Sequence, residues 1–457
     1  MFITLRCRVF SNETGAFTEV PAIFTPAGWL MPLVAYCVAR SHDRSRNWMV
    51  KVCHSMRLFL EYIVANPNEL DIHRQFQNFA QCLYTGTFNR LTGFDPSWLC
   101  WKPKSSAEAR RTIGSLTDFF EWWCCLHPTA TQVNPQYAGN SYDLLVAEAA
   151  YQFRRSRAFL GHTWKPQSAL TKGGFGHAVM AKRGPKIDPS NPPAFPDDRF
   201  MELLMEGFVV GGRPNYRDML ITLLLHGAGF RYSEPFHLYL TDVLVNPRNH
   251  QELLDVRIHH PLEGEAPNDP NWVDERGTPR KGNRPEYLAE RFGLVPRNLL
   301  LDGRHAGWKG GVLDDKSFMR AHWFIPKFGD LFLTLWYRYL EQVARLDRSH
   351  PFAWANLSQD PKGEMYSMTQ YWRAHARACQ RIGLVVGKEL GTTPHGHRHA
   401  YGRRLLAGGF TAIEIKKFMH HHMLESQAVY TTPTPQQVMD VLSQGAERLH
   451  QKYRRDL

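Results

Sequence analysis

The chain has 457 residues, of which 43% are hydrophobic and 21% charged, and its formal net charge is +12. This length accommodates two or three domains, and the hydrophobic fraction excludes a disordered chain. The excess of basic residues predicts a polyanionic partner, since each phosphate neutralised by Lys or Arg releases counterions. From composition alone, a merely soluble basic protein is the alternative.

Targeting signals are missing from the sequence. The first residues, MFITLRCRVFSNETG, lack the apolar run of a signal peptide, and no stretch reaches the roughly 20 apolar residues that a membrane span needs. The eight cysteines contain no C-x-x-C pair, which indicates reduced thiols in an intracellular protein. We therefore expect a cytoplasmic protein with no membrane partner.

The first part of the chain is predicted to be helical. Residues 1–45 form an extension that the pattern does not assign, and residues 46–160 carry four amphipathic runs that predict an all-α bundle. Ser105 with Glu108 is a capping box that opens the third run. The fourth run ends in three arginines: Arg154, Arg155 and Arg157. The simpler interpretation is that these arginines form the solvated end of a helix. The alternative is that they contact phosphate, which requires that this end of the helix faces DNA.

A basic linker and a second domain follow the bundle. Residues 161–196 are rich in Gly, Pro and Lys, which predicts a segment without a core. The segment is either a loose spacer or a strap along a phosphate backbone, with Lys182 and Arg183 as its candidate contacts. Residues 197–457 form the second domain, in which the polar stretch 262–297 is predicted to be a surface insertion.

The densest functional signal begins at Thr392. Thr393 followed by Pro394 predicts a helix start, with the threonine hydroxyl as the cap. On the helix that follows, His395 and Arg398 are three residues apart and share one face.

A second helix is predicted directly afterwards. Thr411 and Glu414 form a capping box that opens it, and the histidines of 420–422 close it. Tyr430 then precedes a Thr- and Pro-rich run that cannot continue a helix. Two imidazoles, a guanidinium and a phenol therefore lie close in the chain, a set that suits chemistry on a phosphodiester.

An upstream turn supplies a second guanidinium. Residues 226–238 read HGAGFRYSEPFHL, and Arg231 lies between two predicted helices. Backbone geometry would fix such an arginine, as a phosphate clamp requires. Ser233 is predicted to cap the next helix, and Glu234 to orient a guanidinium or a nearby backbone group.

Together these stretches resemble the tyrosine recombinases, the lambda-integrase-like family. The family pattern is a G-x-R-x-S-E turn, then H-x-x-R, then a His or Trp, then a nucleophilic Tyr nine residues further. The matching residues here are Arg231, His395, Arg398, His421 and Tyr430. Two separated motifs in the right order are more specific than either motif alone.

The resemblance implies a fold and a reaction. The fold is mainly α with a small β-sheet (α+β), in which a helical core-binding bundle and a catalytic domain form a clamp around double-stranded DNA. The reaction is site-specific recombination or integration: Tyr430 attacks a phosphodiester and forms a 3′-phosphotyrosine link. Arg231 and Arg398 bind the phosphate, His395 accepts the phenolic proton, and His421 donates a hydrogen bond or positions the tyrosine.

The family also places a catalytic lysine in a β-hairpin before these motifs. Lys309, beside Gly310 and Gly311 at a predicted hairpin tip, is our preferred candidate. Lys316, at the start of the returning strand, is the alternative.

Partners and alternatives complete the predictions. We expect no cofactor and no metal, and a homo-oligomer: a tetramer on synapsed DNA that exchanges its C-terminal helix. Accessory proteins of a mobile element and association with the nucleoid fit the same picture. The competing functions are a non-catalytic DNA-binding protein of this fold, a type IB topoisomerase-like enzyme or telomere resolvase, and a metal-dependent hydrolase. The last would use the clustered histidines His395, His397, His399 and 420–422, to which no carboxylate joins at ligand spacing.

Overall fold

The computed structural model describes residues 2–10, 17–89, 91–136, 141–157, 177–182, 192–245, 254–358 and 360–422. The chain separates into two compact units, Met1–Lys186 and Ile187–Leu457. The division lies inside the segment 161–196 that we predicted to be a linker. No helix within the described ranges is long and apolar enough to cross a membrane.

The described part of the first unit contains a small antiparallel sheet and five helices. They are β1 (Ile3–Phe10), β2 (Phe17–Thr25), β3 (Gly28–Trp29), α1 (Met31–Ala39), α2 (Arg46–Ala65), α3 (Ile72–Thr85), α4 (Ser106–Leu126) and α5 (Ser141–Arg157). Ser45 caps α2 by accepting from the Trp48 amide. The capping box of Ser105 and Glu108 opens α4, as the sequence predicted.

Residues 1–45 are part of this unit rather than an extension of it. Val20, Ala22 and Ile23 on β2 are completely buried and share one hydrophobic core with the helices. Phe59 and Phe76 meet edge-on with ring centroids 5.4 Å apart in the same core. The predicted four-helix bundle is therefore incomplete, because the sheet and α1 cover a face that the bundle alone would expose.

Residues 177–182, one of the two described pieces of the predicted linker, pack on the first unit. In the other piece, 192–196, Phe195 is buried in the core of the second unit. The amide of Val179 donates to Asn134 Oδ1 at 2.9 Å, and the Asn134 Nδ2 donates back to the Val179 carbonyl at 3.1 Å. The Lys182 amide donates to the Tyr84 hydroxyl at 2.9 Å. We had expected residues 177–182 to lie in a segment without a core, and this was wrong. The side chain of Asn134 satisfies the backbone N–H and carbonyl of Val179 and so fixes this segment.

The described part of the second unit is mainly helical, with one three-stranded and one two-stranded antiparallel sheet. Its elements are α6 (Phe200–Glu202), β4 (Val209–Val210), β5 (Arg213–Pro214), α7 (Tyr216–Gly227), β6 (Val243–Val245), β7 (Leu254–His259), α8 (Arg284–Phe292), β8 (Phe318–Arg320), α9 (Pro326–Val343), α10 (Met368–Arg381), α11 (Pro394–Ala407) and α12 (Ala412–Phe418). The predicted class, mainly α with small β-sheets, is confirmed.

Helix α7 is the centre of the second unit. Every residue from Arg217 to Gly227 is buried, and α9 and α11 pack against the helix. Arg217 is buried on this helix because it is paired: its Nε donates to Asp218 Oδ1 at 2.9 Å and its Nη1 to the Ala355 carbonyl at 2.9 Å. The turn that carries Arg231 follows the end of this rigid helix.

The three-stranded sheet has β7 in the middle, antiparallel to β6 and β8. Val256 and Ile258 point into the core and are completely buried, which confirms the strand predicted there. A long connection joins β7 to β8 and contains both the predicted insertion and the lysine candidates.

The insertion of residues 262–297 is folded, and part of it is buried, which its polar composition did not predict. Trp272, Tyr287 and Leu288 are buried in a small hydrophobic cluster. Arg284 is also buried, and its Nη2 donates to Asp242 Oδ1 at 2.6 Å. Tyr239, Phe352 and Met365 from outside the stretch belong to the same cluster, so two aromatic rings and one paired charge anchor the stretch to the rest of the unit.

Candidate catalytic site

Arg231 is held by a buried carboxylate in the turn after α7. Glu234 is completely buried; its Oε2 accepts from the Arg231 amide at 2.7 Å and its Oε1 from Arg231 Nη1 at 2.8 Å. Glu234 therefore orients both the backbone and the guanidinium of Arg231, in agreement with the predicted orienting role. The predicted cap at Ser233 was wrong, because its side chain makes no cap hydrogen bond and only a short 3₁₀ helix follows.

Gly229 brings the backbone of this turn against α11. Its φ is +70°, and a Cβ there would collide with the Tyr401 ring. Both facts require glycine. The Gly229 carbonyl in turn accepts a hydrogen bond from Arg398 Nη1, so the two motifs touch through this residue.

Arg398 is buried on α11, in the second motif. The helix begins with Pro394 at its first position, as predicted, although the Thr393 side chain makes no cap hydrogen bond, contrary to our expectation. The Arg398 guanidinium donates from Nη2 to the Met419 carbonyl at 2.6 Å, in addition to its bond with Gly229. Backbone carbonyls on two other segments therefore fix its orientation.

The two guanidiniums meet at the C-terminus of α12. Arg398 donates to the Met419 carbonyl, and Arg231 Nη2 donates to the next carbonyl, that of His420, at 3.4 Å. These arginines are 167 positions apart in the sequence. Because they bind consecutive carbonyls, the structure places them side by side, as an anion clamp requires.

Helix α12 ends in a way that positions His421. The predicted capping box of Thr411 and Glu414 opens the helix. At the other end, His420 N donates to the Lys417 carbonyl at 3.0 Å and His421 N to the Lys416 carbonyl at 2.9 Å. This is the Schellman pattern, in which the residue at the His420 position is left-handed and usually glycine. His420 has a φ of +53°, and the next residue, His421, is buried beside the arginines.

Desolvation and the nearby positive charges keep two imidazoles neutral. Desolvation, followed by the charges of Arg398, Lys309 and Arg231, lowers the pKa of His395 to about 4. Desolvation and then Arg398 and Arg231 lower the pKa of His421 to about 3. Both rings are therefore neutral at pH 7, and a neutral imidazole can accept a proton. The desolvation of His395 is only partial, because the residue keeps an exposed surface, and that surface makes it accessible to a reacting group.

Of the two candidate lysines, Lys309 contributes to the charge at His395. It is exposed and lies in an irregular segment rather than at the tip of a two-stranded hairpin, so the predicted local structure was wrong. The hairpin prediction failed because the long folded connection separates β7 from β8. Lys316 lies two residues before β8, with its amide donating to Asp315 Oδ1 at 2.7 Å.

Sequence reasoning missed one acidic residue of this region. Asp314 Oδ2 lies 2.7 Å from His420 Nε2, and Asp314 Oδ1 lies 3.1 Å from His322 Nε2. Our expectation that no carboxylate joins the clustered histidines was based on sequence spacing. Asp314 precedes His420 by 106 positions, and no local pattern connects the two residues.

His397 bonds to two other buried histidines and not to the arginine pair. It is completely buried; its Nδ1 lies 3.1 Å from His226 Nδ1 and its Nε2 lies 2.8 Å from His375 Nε2. Within the described ranges, the one group of three metal-ligating side chains close enough to share an ion is Asp314, His322 and His420. Of the clustered histidines that we considered as a zinc site, only His420 belongs to this group.

Several predicted residues lie outside the described structure: Tyr430, Arg183 and the side chain of Arg154. Of the other predicted DNA contacts, Arg157 stacks on the Phe153 ring with its guanidinium carbon 4.3 Å from the centroid. Lys182 places its ammonium 5.2 Å from the centroid of Tyr84. Their proposed contact with DNA stays a prediction, as does that of Arg155.

Comparisons with known proteins give solved structures of recombinases and integrases. No family model matches the chain, and no curated protein matches it. The XerA recombinase is 13% identical, with a TM-score of 0.32 over 91% of this chain and 97% of that chain. The Tn1549 transposon integrase in complex with transposon right end DNA is 13% identical, with a TM-score of 0.43 over 92% and 98%. A lambda integrase dimer bound to a core site is 11% identical, with a TM-score of 0.41 over 88% and 94%.

These structures belong to the class of protein that the sequence motifs resemble. With identities of 11–13% and TM-scores below 0.5, however, the comparison carries no argument about function.

Proposed function

We propose that the protein is a tyrosine-type site-specific DNA recombinase that cleaves and rejoins DNA through a 3′-phosphotyrosine intermediate. The observation that carries the proposal is the pairing of Arg231 and Arg398 on consecutive carbonyls at the end of α12. Two guanidiniums fixed side by side suit one phosphate, since each can donate two parallel hydrogen bonds to its oxygens. The neutral rings of His395 and His421 beside them supply proton acceptors and donors.

The proposed reaction conserves the phosphodiester energy. The phenolic oxygen of Tyr430 attacks phosphorus while its proton passes to His395, and a covalent bond from tyrosine to the 3′-phosphate forms. Arg231 and Arg398 stabilise the charge that develops on the non-bridging oxygens. The bond to the 5′-oxygen breaks, and Lys309 donates the proton that this leaving oxygen takes up. A 5′-hydroxyl can then attack the phosphotyrosine and reverse the steps, so ligation needs no nucleotide cofactor.

Double-stranded DNA is the proposed partner. The formal net charge of +12 favours it, and binding should weaken steeply with salt. We further propose that the enzyme serves a mobile element, acts as a tetramer on synapsed DNA and exchanges its C-terminal helix between protomers. Removal of residues 436–457 should then abolish the tetramer and preserve DNA binding.

Covalent capture tests the proposed chemistry. A binding site is first selected from a random duplex library with the Tyr430→Phe protein, and a nicked duplex of that sequence then serves as a suicide substrate. Wild type should form an adduct that survives denaturant and maps to Tyr430. The Tyr430→Phe protein should bind DNA like wild type and form no adduct. Tyr337→Phe, at an exposed tyrosine of α9, is the matched control and should capture DNA normally. Cleavage by the Tyr430→Phe protein would refute the assignment.

The same substrate separates this function from its competitors. A non-catalytic DNA-binding protein would give no adduct with any variant. A type IB topoisomerase-like enzyme would form the adduct and relax supercoiled DNA without joining two duplexes. Exchange of strands between two labelled duplexes is therefore the decisive product.

A further inference from the structure

Three side chains form a compact cluster next to the arginine pair, and one of them, His420, supplies the carbonyl that accepts from Arg231. Asp314 stands between two imidazoles, with its Oδ2 at 2.7 Å from His420 Nε2 and its Oδ1 at 3.1 Å from His322 Nε2. The donor atoms of the three residues all lie within 4.8 Å of one another. The proposed recombination chemistry assigns no role to this cluster.

Its spacing fits a tetrahedral transition-metal ion. Ligand atoms about 2.0–2.1 Å from zinc are about 3.3 Å apart in a tetrahedron, a value inside the range of 2.7 to 4.8 Å that the cluster spans. Two imidazoles and one carboxylate are ligands that suit Zn²⁺, whereas Mg²⁺ and Ca²⁺ prefer an all-oxygen set. The His322 and Asp314 side chains are 24% and 15% exposed, so an ion can enter and a water can complete the coordination.

The backbone of the cluster is built to hold these positions. The Asp314 amide donates to the Phe318 carbonyl at 2.9 Å, and Asp314 Oδ2 also accepts from the Arg320 amide at 2.7 Å. The His322 carbonyl accepts from the Tyr401 hydroxyl at 2.8 Å. Phe230 stacks on the His420 ring with 5° between the planes and 5.5 Å between the centroids. Each ligand is therefore oriented by contacts of its own, as metal sites require.

The conformation of His420 is an independent indication of function. Its φ of +53° places it in the left-handed region, where the Schellman pattern ordinarily has glycine. A non-glycine residue there costs about 1–2 kcal/mol. An imidazole at this position is explained if its ring is used, and its Nε2 points at Asp314.

We propose that Asp314, His322 and His420 bind one transition-metal cation, of which Zn²⁺ is the best match. The ion would tie together three segments: the loop before β8, the residues after β8 and the end of α12. It would thereby fix the Met419 and His420 carbonyls that orient the two arginines. Binding does not depend on the proposed recombinase activity, and it is measured without DNA.

Nearby charge sets the expected strength of the site. Asp314 contributes one negative charge, and Arg231 donates to the His420 carbonyl at 3.4 Å, so the cation shares its surroundings with a guanidinium. The affinity should therefore be lower than that of a closed structural zinc site with four protein ligands. Phosphate bound by the arginines would offset this repulsion.

The test uses the full-length chain without an affinity tag, stripped with chelator and then titrated with Zn²⁺ alone against a chromophoric competitor. Wild type should bind one equivalent, and Co²⁺ in its place should give the visible absorption of a tetrahedral site. Asp314→Asn and His322→Gln should each weaken binding by about 100-fold or more, because loss of a direct ligand should cost at least as much as loss of a group that only orients one. The matched controls Asp315→Asn and His42→Gln, at exposed positions, should bind like wild type.

Stability gives a second measurement on the same proteins. Zn²⁺ should raise the melting temperature of wild type and of the controls, because it binds the folded chain, and should leave that of Asp314→Asn and His322→Gln unchanged. Circular dichroism confirms that the variants are folded. If wild type binds less than one equivalent, or if the variants and the controls bind equally, the cluster is a hydrogen-bonded hub around Asp314 and the proposal is wrong. Covalent capture of DNA would be unaffected as evidence for the recombinase.

Discussion

Replacing Glu234 with glutamine changes one oxygen to an amide nitrogen at the turn that holds Arg231. Both carboxylate oxygens are in use: one accepts from the Arg231 amide at 2.7 Å and the other from Arg231 Nη1 at 2.8 Å. The side chain is completely buried, so water cannot replace either bond. In the Glu234→Gln protein, the side-chain NH₂ group must therefore face either the Arg231 amide or Arg231 Nη1. Both of these groups are donors, so one hydrogen bond cannot form.

The magnitude follows from these two contacts. A hydrogen bond to a charged group contributes about 1.5–3 kcal/mol, and a buried donor left without an acceptor costs about 1–3 kcal/mol. The lost bond and the stranded donor are one event, so the free energy of unfolding should fall by about 2–3 kcal/mol. The Arg231 guanidinium should also shift, and a misplacement of about 1 Å in a catalytic group can cost about 100-fold in rate.

Denaturant unfolding and covalent capture of DNA measure the two effects. The matched control is Glu286→Gln, because Glu286 Oε2 also accepts a backbone N–H, that of Asn283 at 3.1 Å, but lies on an exposed helix start. Glutamine can still accept this N–H in a capping box, so the control should lose less than about 1 kcal/mol and capture DNA normally. If Glu234→Gln unfolds like Glu286→Gln, or captures DNA at the wild-type rate, Glu234 does not hold Arg231 in its working position.

Three further outcomes follow from the structure. Lys309→Gln should raise the pKa of His395, since it removes one of the positive charges that lower it, whereas Lys316→Gln should not; NMR titration of the ring protons without DNA measures both. Asp242→Asn should lower the free energy of unfolding by about 3–5 kcal/mol, because its arginine partner stays buried without a counter-charge, and a loss below about 1 kcal/mol would contradict this. Burial lowers the pKa of His375 to about 3. Below pH 6.5 only the unfolded chain takes up this proton, so stability should fall by about 1.4 kcal/mol per pH unit for each such histidine, and equal stability at pH 6.5 and pH 5 would contradict it.

Local sequence signals predicted what depends on one or two helical turns. The capping boxes at Ser105 and Thr411 are present, and the helices near them begin where these residues indicate. Thr393 and Ser233 have the same side-chain chemistry but make no cap hydrogen bond. At Thr393, the amide of Gly396 donates to the Thr393 backbone carbonyl at 2.9 Å instead of to the hydroxyl. At Ser233 the helix is too short and irregular to need a cap.

Contacts between distant segments could not be predicted from periodicity. Arg284 reads as a surface residue in a polar stretch, yet it is buried because Asp242, 42 positions earlier, lies opposite it. Asp314 is the same case within the site, since its partner His420 is 106 positions away. The pairing of Arg231 with Arg398 was expected only because a family resemblance connected two motifs that no local rule relates.

The end of α12 explains why the site needs both motifs. Its last carbonyls would be unsatisfied at a bare helix end, and two guanidiniums from other segments take up those of Met419 and His420. The arginines are thus oriented by rigid backbone rather than by flexible acidic side chains alone, which keeps their positive charge available to a bound anion. The same Schellman turn sets His421 beside them and turns the His420 ring towards Asp314. A change that straightens this turn should therefore disturb the proposed anion clamp, the neutral histidine and the proposed metal site together, whereas a change at any one side chain should disturb only its own part.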